Sequence, residues 1–468
     1  MNNLVVVSNR LPPLPEMENV SRRTQEVGGL VTALLSALEM KGGGTWFGWS
    51  GKYIQGREEP QITWEVGKNR IVGIHLSERE VDAYYNGFCN RALWPLLHSF
   101  QGRVHLNRAE EKIYQEVNTR FAQLLSPHIK KSDTIWVNDY HLFFLGRELR
   151  RLGHKGSIGF FLHVPFPPYD IWHLLPNPAE VLQAMAEYDL VGFHTRTYRD
   201  NYIYAFNRFF DASWDGTHLR NGGRRQKVGI FPIGVDAGRF SREAASASVN
   251  RRRRGLKVPG DDRRIIIGVD RLDYTKGIPD RIRAFETLLR NYSQYRGSVS
   301  MFQICAPSRT RVPEYVEQKR TVEALVGRIN GEFAEHDWVP VSYLYRSYSQ
   351  NRLSLFYRNA DVCLVTPLRD GMNLVAKEYV ASQSPENPGV LVLSRFTGAA
   401  EELGDAVLVN PYLPDEVADG LHRALSMPAE ERVARQKNMC QIIEDKSVEW
   451  WVKTFLNALT ESPRWYRN

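Results

Sequence analysis

The sequence predicts an α/β protein of two Rossmann-like domains, each a parallel sheet wrapped by helices. Three observations predict it. Short β-rich apolar runs alternate with longer amphipathic ones, the runs form two series separated by a polar, Arg-rich stretch at 239–264, and 468 residues suit two domains of ordinary size. A content of 43% hydrophobic and 24% charged residues is that of a globular chain able to bury sizeable cores.

The first series comprises Leu4 to Val7, Thr134 to Val137, Ile158 to Leu162, Leu190 to Phe193 and Val228 to Pro232. The second comprises Ile265 to Val269, Met301 to Cys305, Trp338 to Ser342, Val362 to Thr366, Val390 to Leu393 and Ala406 to Val409. Helical spacing falls between them, as at Leu30, Leu34, Leu35 and Leu38, and at Asp280 to Tyr295, where Pro279 stands near the first turn and its missing N–H leaves no bond unmade. The boundary follows "FPIGVD", giving a first domain at 1–234 and a second at 235–447. The amphipathic segment at 448–468, containing "VEWWVKTFLNAL", is expected to pack back on the first domain. No tandem repeat or low-complexity tract is evident.

Composition removes several function classes. The run "LVVV" is too short for a signal peptide and no stretch reaches the ~18 apolar residues of a membrane span, so a cytoplasmic protein without membrane contact is expected. Cys89, Cys305, Cys363 and Cys440 are far apart and show no CxxC or Cys/His spacing, which predicts reduced core thiols and no metal site. A net charge of +8 and a pI near 9.2 fit either a polyanionic partner or an anionic small substrate. The densest basic run, "NRRRRG" at 250–255, has no interleaved aromatics for stacking on bases, so it reads as a solvated loop and nucleic acid is not an expected partner.

In wound parallel sheets ligands bind beyond the carboxyl ends of the strands, and the residues there are unusual. "SNRLPP" follows the first strand, and "VGGL" then opens a helix whose glycines let backbone amides approach an anion, although paired glycines before a helix also serve as simple turns. "NDYH" follows the strand at 134, and "HVPFPPYDIW" the strand at 158. Asp139 suits sugar hydroxyls or a proton transfer, and equally a helix N-cap; His163 suits donation to a sugar or phosphate oxygen, and equally a satisfied interior site.

The second series opens with "IIIGVDRLDYTKGIP", where Arg271 and Lys276 follow a buried strand and match a ligand with several negative oxygens, unless one of them pairs with Asp273. The GxxxxGK[ST] pattern of a P-loop is absent. "CAPSRTR" again ends a strand with a cation, Arg309 or Arg311, and "TPLRDGMN" does so with Arg369. Several cations along one sheet edge predict a phosphorylated ligand. In "RDGMNLVAKEYV" a helix from Met372 onward would present amide N–H groups to a diphosphate, face Asp370 to the sugar, and place Glu378 to accept from ribose hydroxyls; an exposed Glu378 paired with Lys377 is the structural alternative.

At this point the chain resembles a known family. "VVVSNRLP", "FGWSG", "YYNGFCNRALWPLLH", "DYHL", "FFLHVPFP", "DRLDYTKG", "APSR", "GRINGEF", "TPLRDGMNLVAKEYVASQ" and "VLSRFTGAAEEL" are similar, in order, to the motifs of trehalose-6-phosphate synthases. The resemblance implies the GT-B architecture, two Rossmann-like domains facing across a cleft. It implies glucose transfer from UDP-glucose to glucose 6-phosphate with retention of configuration, without metal or other cofactor, cations stabilising the leaving diphosphate. For the donor it implies Arg271 and Lys276 on the diphosphate, Glu378 on the ribose, and Asp370 with the Gly371, Met372, Asn373 and Leu374 backbone along glucose and diphosphate. Gly29 matches a glycine near the diphosphate and His163 a contact to the donor sugar. For the acceptor it implies Arg10, Tyr85, Trp94 and Arg309 on the phosphate and Asp139 on hydroxyls. It assigns the chemistry itself to Asp139, His163, Arg271, Lys276 and Asp370.

The chain departs from the family at position 138, Asn where His is frequent, and after Trp94, where the aromatic usual near "AEEKIY" is missing. "LLHSF" is also similar to glucosylglycerol-phosphate synthases, which take glycerol 3-phosphate, whereas "SNR" and the Tyr84/Tyr85 pair fit the trehalose branch. A silent sugar-phosphate sensor and a pseudo-glycosyltransferase joining cyclitols share the pattern; the complete set Arg271, Lys276, Asp370 and Glu378 argues against the sensor. Since no phosphatase domain follows, a separate phosphatase is implied downstream, with homo-oligomerisation left open.

Overall fold

The computed structural model describes residues 3–11, 29–54, 61–245, 262–309 and 312–462; "NRRRRG" and Arg311 lie outside them. The chain divides into two compact units, one built from the N-terminal strand, Leu30–Ile233 and the segment from Glu449 onward, the other from Gly234–Val448.

The sheet of the first unit contains β1 (Leu4–Arg10), β2 (Gly44–Tyr53), β3 (Gln61–Val66), β4 (Asn69–Leu76), β5 (Thr134–Asn138), β6 (Ile158–Phe161), β7 (Leu190–Phe193), β8 (Ser213–Trp214), β9 (His218–Asn221) and β10 (Arg224–Ile230), in the order β3-β4-β2-β1-β5-β6-β7-β10-β9-β8. From β4 to β10 all pairings are parallel; β3, β9 and β8 add antiparallel edges. The run β4-β2-β1-β5-β6-β7 has the doubly wound order, with its reversal between β1 and β5, where a crevice opens beyond the strand ends. Helix α1 (Gly29–Met40) connects β1 to β2, and α2 (Arg108–Leu125) precedes β5, its Asn107 side chain capping the Ala109 and Glu110 amides.

Strands β2, β3, β4, β8 and β9 were not among the strands expected from sequence. "GTWFGWSGKY" and "NRIVGIHL" mix glycines and polar residues into their apolar runs, and burial on both faces removes the alternation a half-exposed strand would show. The helix Val448–Thr460 packs on this unit: Phe455 stacks on Trp136 at 4.6 Å, and Trp451 meets Trp136 at 4.9 Å and Phe161 at 5.1 Å. Its seat depends on Gly159 and Gly192, where a Cβ would stand 3.0 Å from Leu459 and 2.9 Å from Phe455.

In the second unit β11 (Arg264–Arg271), β12 (Val299–Ala306), β13 (Val341–Leu344), β14 (Val362–Val365), β15 (Val390–Ser394) and β16 (Val407–Val409) form a fully parallel sheet ordered β13-β12-β11-β14-β15-β16. This is again the doubly wound order, reversing between β11 and β14. Helix α3 (Ala237–Ala245) occupies part of the stretch read from sequence as a polar break; Phe240 and Ala244 are its buried residues. Helix α4 (Ile278–Asn291) follows β11 with Pro279 in its first turn, and α5 (Leu374–Ser382) follows β14.

Candidate active site

In the second unit the sequence-named donor residues stand on both sides of the sheet reversal. Arg271 ends β11 and is exposed. Two residues on, the buried Asp273 caps a single 3₁₀ turn, Tyr274–Lys276, by accepting from the Thr275 amide at 3.0 Å. Gly277 closes that turn at φ 61, the left-handed conformation that glycine adopts freely. The turn aims Lys276 at the loop after β14, where its ammonium meets Asp370 Oδ2 at 2.5 Å. Asn373 donates to the same carboxylate oxygen at 3.0 Å and caps α5 by accepting from Ala376. The Gly398 amide donates to the Asp370 carbonyl and the Ala399 amide to the Met372 carbonyl, at 3.2 and 2.9 Å, which fixes the Asp370–Asn373 loop from the next strand's side.

Helix α5 begins at Leu374 and not at Met372, two residues later than expected, and Asp370 lies in the loop before it. Asn373, at φ 82, is what delays the helix. Glu378 is 7% exposed and accepts from the Tyr357 hydroxyl at 3.3 Å, which removes the reading of an exposed helix residue. Lys377 pairs instead with Glu402, at 2.6 Å in the core.

Asp273 does have an ionic partner, and it is Arg309: the guanidinium donates to Asp273 Oδ2 at 3.2 Å and is also bonded to the Tyr315 hydroxyl. Burial pushes the Asp273 carboxyl up, but Arg309, Arg271 and the Thr275 amide outweigh it and hold the group below the usual carboxylate range. Arg309 thus stands in the same unit as the donor residues, locked beneath the Arg271 loop.

In the first unit the remaining residues line the crevice between β1 and β5. Arg10 ends β1 with its guanidinium 5.4 Å from the Trp49 ring; Trp49 meets Tyr85 at 5.9 Å, Tyr85 stacks on His141 at 6.0 Å, and Tyr140 continues the wall to Trp94 at 5.9 Å. Arg10, Tyr85 and Trp94 therefore share one aromatic wall. Tyr85 rides on a π-helix, Val81–Leu93, and Trp94 follows it directly; such helices are rare and recur at functional sites. Tyr84, fully buried, donates to Asn9 Oδ1 at 2.8 Å and steadies the residue before Arg10.

Asp139 leaves β5 at φ 74 and ψ 164, a region that is essentially glycine's. Its side chain accepts from the His163 amide at 3.2 Å, so it tethers the loop after β6 and caps no helix through its side chain. Among the described residues only Ser99, Asp139, Arg309 and Asn373 are non-glycines at positive φ, and three of these are named site residues. Each such conformation costs about 1–3 kcal/mol, and it persists where the surrounding structure holds it for a purpose.

His163 corrects one expectation. Its Nε2 lies 3.1 Å from Asn138 Oδ1, and the Asn138 amide nitrogen donates to the Val7 and Trp136 carbonyls, which fixes the oxygen toward the imidazole. Nε2 therefore carries the proton, and Nδ1 of the neutral ring is an acceptor, not a donor, for a ligand hydroxyl. Burial, assisted by His194, holds His163 well below the usual histidine range and so keeps it neutral. The departure at position 138 is what sets this tautomer. Gly29 is the first residue of α1, and the two residues before it in "VGGL" lie outside the described residues.

Sequence reasoning missed Trp49, His141, Tyr357 and Glu402, and it missed the buried Arg281 beneath Lys276. Trp49 and His141 fall inside the quoted motifs "FGWSG" and "DYHL". Arg281 was signalled by a charge on the apolar face of α4 between Ile278 and Ile282. No group of three or more His, Cys, Asp or Glu side chains able to hold a metal ion occurs among the described residues, and no described helix is long and apolar enough to cross a membrane.

Two doubly wound sheets, with cations and carboxylates at the reversal of one and an aromatic wall bearing an arginine at the reversal of the other, define a glycosyltransferase of the GT-B class. The chain belongs to glycosyltransferase family 20, whose profile matches residues 2–461. It is 43% identical over 465 residues to a trehalose-6-phosphate synthase of Sinorhizobium fredii, covering 99% of each chain. It is also similar to the crystal structure of an alpha,alpha-trehalose-phosphate synthase (UDP-forming) of Burkholderia xenovorans in complex with glucose-6-phosphate, with TM-score 0.91, 39% identity and coverage of 98% of this chain and 100% of that one. A trehalose-6-phosphate enzyme of E. coli bound with UDP-2-fluoro glucose superposes with TM-score 0.91 at 38% identity, over 98% and 99% of the two chains.

Proposed function

We propose that this protein transfers glucose from UDP-glucose to glucose 6-phosphate with retention of configuration, giving α,α-trehalose 6-phosphate and UDP. The observation that carries the reading is the Lys276–Asp370–Asn373 cluster at the sheet reversal, beside the exposed Arg271. Such an edge offers two cations to a diphosphate, a carboxylate to the hydroxyls of the sugar it carries, and the amide N–H groups of Gly371 to Leu374 at a helix start. Glu378, beside Tyr357, suits the ribose hydroxyls. In this reading the second unit holds the donor and the first holds the acceptor.

On the acceptor side Arg10, Tyr85 and Trp94 provide a cation and aromatic donors for a phosphate, and Asp139 provides an acceptor for sugar hydroxyls. His163 Nδ1 takes a hydroxyl of the donor sugar. Arg309, the remaining acceptor-phosphate residue, is bonded to Asp273. In the reaction the bond from C1 to the diphosphate oxygen breaks and its electron pair leaves on the diphosphate, held by Arg271 and Lys276. The acceptor hydroxyl attacks the same face of C1, and its proton passes to the departing oxygen. Fixed charges at the leaving group do the work, and no metal is invoked. The protein acts in the cytoplasm, and a separate phosphatase consumes its product.

The test is UDP release from UDP-glucose with glucose 6-phosphate or glycerol 3-phosphate, the product identified by NMR. An α,α-1,1-linked disaccharide phosphate is expected; preference for glycerol 3-phosphate, or no turnover with either, overturns the proposal.

A further inference from the structure

We propose that Arg281, which lies beneath the sheet, is a positioning residue that sets the Lys276 ammonium and the Arg271 loop for the donor diphosphate. The inference rests on the donor-site reading above. Arg281 is 1% exposed, on the first turn of α4. Its Nε donates to Thr366 Oγ1 at 2.9 Å, Nη1 to Gln303 Oε1 at 3.2 Å and to Asp270, and Nη2 to the Lys276 carbonyl at 3.4 Å. These acceptors come from four segments. Asp270 immediately precedes Arg271, Lys276 is the candidate diphosphate ligand itself, Thr366 begins the "TPLRD" loop that ends in Asp370, and Gln303 lies on the neighbouring β12.

The sequence makes room for this fork. A Cβ on Gly268 of β11 would stand 2.7 Å from Arg281 Nη1 and 2.5 Å from Gln303 Oε1, so the glycine in "IIIGVD" is the space the guanidinium occupies. The two loops are also tied to each other. The Leu368 amide donates to the Thr275 carbonyl at 2.8 Å, and a Cβ on Gly277 would stand 2.6 Å from the Thr366 carbonyl. Arg281 anchors that joint to α4.

A plain buried ion pair needs only Asp270. Three of the four acceptors here are uncharged and two belong to the loops that carry site residues, which is the arrangement of a clamp. A lysine, with one ammonium, cannot span acceptors that a planar five-donor fork reaches together. A reacting or binding group misplaced by 1 Å loses affinity or rate by up to about 10²-fold.

The test compares Arg281→Lys and Thr366→Val with Lys276→Ala, measuring affinity for UDP and for uridine by calorimetric titration, and KM for glucose 6-phosphate. Uridine lacks the phosphates, so displacement of Lys276 should spare it. UDP binding is expected to weaken at least about tenfold in both test variants, with uridine binding and the glucose 6-phosphate KM within about threefold of the parent. Equal loss for UDP and uridine reveals a merely structural residue and overturns the proposal, as does unchanged UDP binding. Thr366→Val keeps the shape and the ion pair, so it carries the test where Arg281→Lys fails to fold. Intact UDP binding in Lys276→Ala defeats the donor-site reading itself; loss there with none in the other two variants defeats this inference alone.

Discussion

Glu402→Gln removes the carboxylate that joins the buried Lys377 to the half-exposed Lys446 and should be among the most damaging neutral substitutions in the second unit. Glu402 Oε2 meets Lys377 Nζ at 2.6 Å, their side chains 6% and 2% exposed, while Oε1 meets Lys446 at 2.9 Å, 39% exposed. Glutamine keeps the shape but leaves the Lys377 ammonium in the core without a counter-charge, a loss of about 3–5 kcal/mol. For a unit of roughly 200 residues that is a fall of about 6–20 °C in its melting temperature. Lys446→Met removes the half-exposed partner alone and should cost no more than about 1 kcal/mol.

The pH dependence sharpens the test. Burial pushes Lys377 below the usual lysine value, against the pull of Glu402. Between its folded and unfolded values the unfolded chain binds the extra proton, so stability rises with pH through that window. Glu402→Gln lowers the folded value further and widens the window, so its deficit should be larger at about pH 7 than at about pH 9.5. Scanning calorimetry of parent and variants at both pH values measures this. A deficit under about 1 kcal/mol, or one unchanged at the higher pH, refutes the argument. Donor affinity should also fall, because Gly398 and Ala399, in the short turn that Glu402 ends, bond the Asp370 and Met372 carbonyls.

Phe455→Ala should destabilise the first unit by about 3–5 kcal/mol while leaving UDP binding by the purified protein intact at low temperature; a loss below about 1 kcal/mol in chemical denaturation speaks against the aromatic seat. Asn138→Leu deletes the acceptor that fixes the His163 tautomer and should lower kcat roughly tenfold with no change in UDP affinity, a prediction that unchanged kcat defeats. Because His163 is held well below the usual histidine range, any acid limb near about pH 6 belongs to the phosphate of glucose 6-phosphate and should persist in His163→Gln; a limb that vanishes in that variant contradicts its neutrality. Arg309→Ala separates its two readings: a rise confined to the glucose 6-phosphate KM supports acceptor binding, whereas weaker UDP affinity identifies it as the support of Asp273 and Arg271.

Most of the second unit was legible because its strands are continuous apolar runs and its cations follow them directly, as at Arg271 and Lys276. Strands β2 and β4 were not, because strands covered on both faces lose alternation and the glycines at 44, 48, 51 and 73 resemble turns. Nor was the π-helix, whose stretched repeat matches neither pattern used to read helices or strands. Within the site, residue types were readable and their pairings were not. Nothing local says that Asp273 takes Arg309 rather than Arg271, that Lys377 turns inward to Glu402, or that Asn138 decides which nitrogen of His163 holds a proton. Each depends on residues at least 25 positions apart.

The helix Val448–Thr460 completes the first unit only after the whole of the second has been synthesised. A ribosome delivers Trp136, Phe161 and the bare backbone of Gly159 and Gly192 long before Trp451 and Phe455 arrive to cover them. Until then the nascent first unit carries an uncovered aromatic trough, the kind of surface that recruits chaperones or aggregates. A message truncated near codon 447 would yield a second unit with its strands intact beside a first unit unable to close its core, so translational fidelity at the far end of the reading frame protects the folding of its beginning.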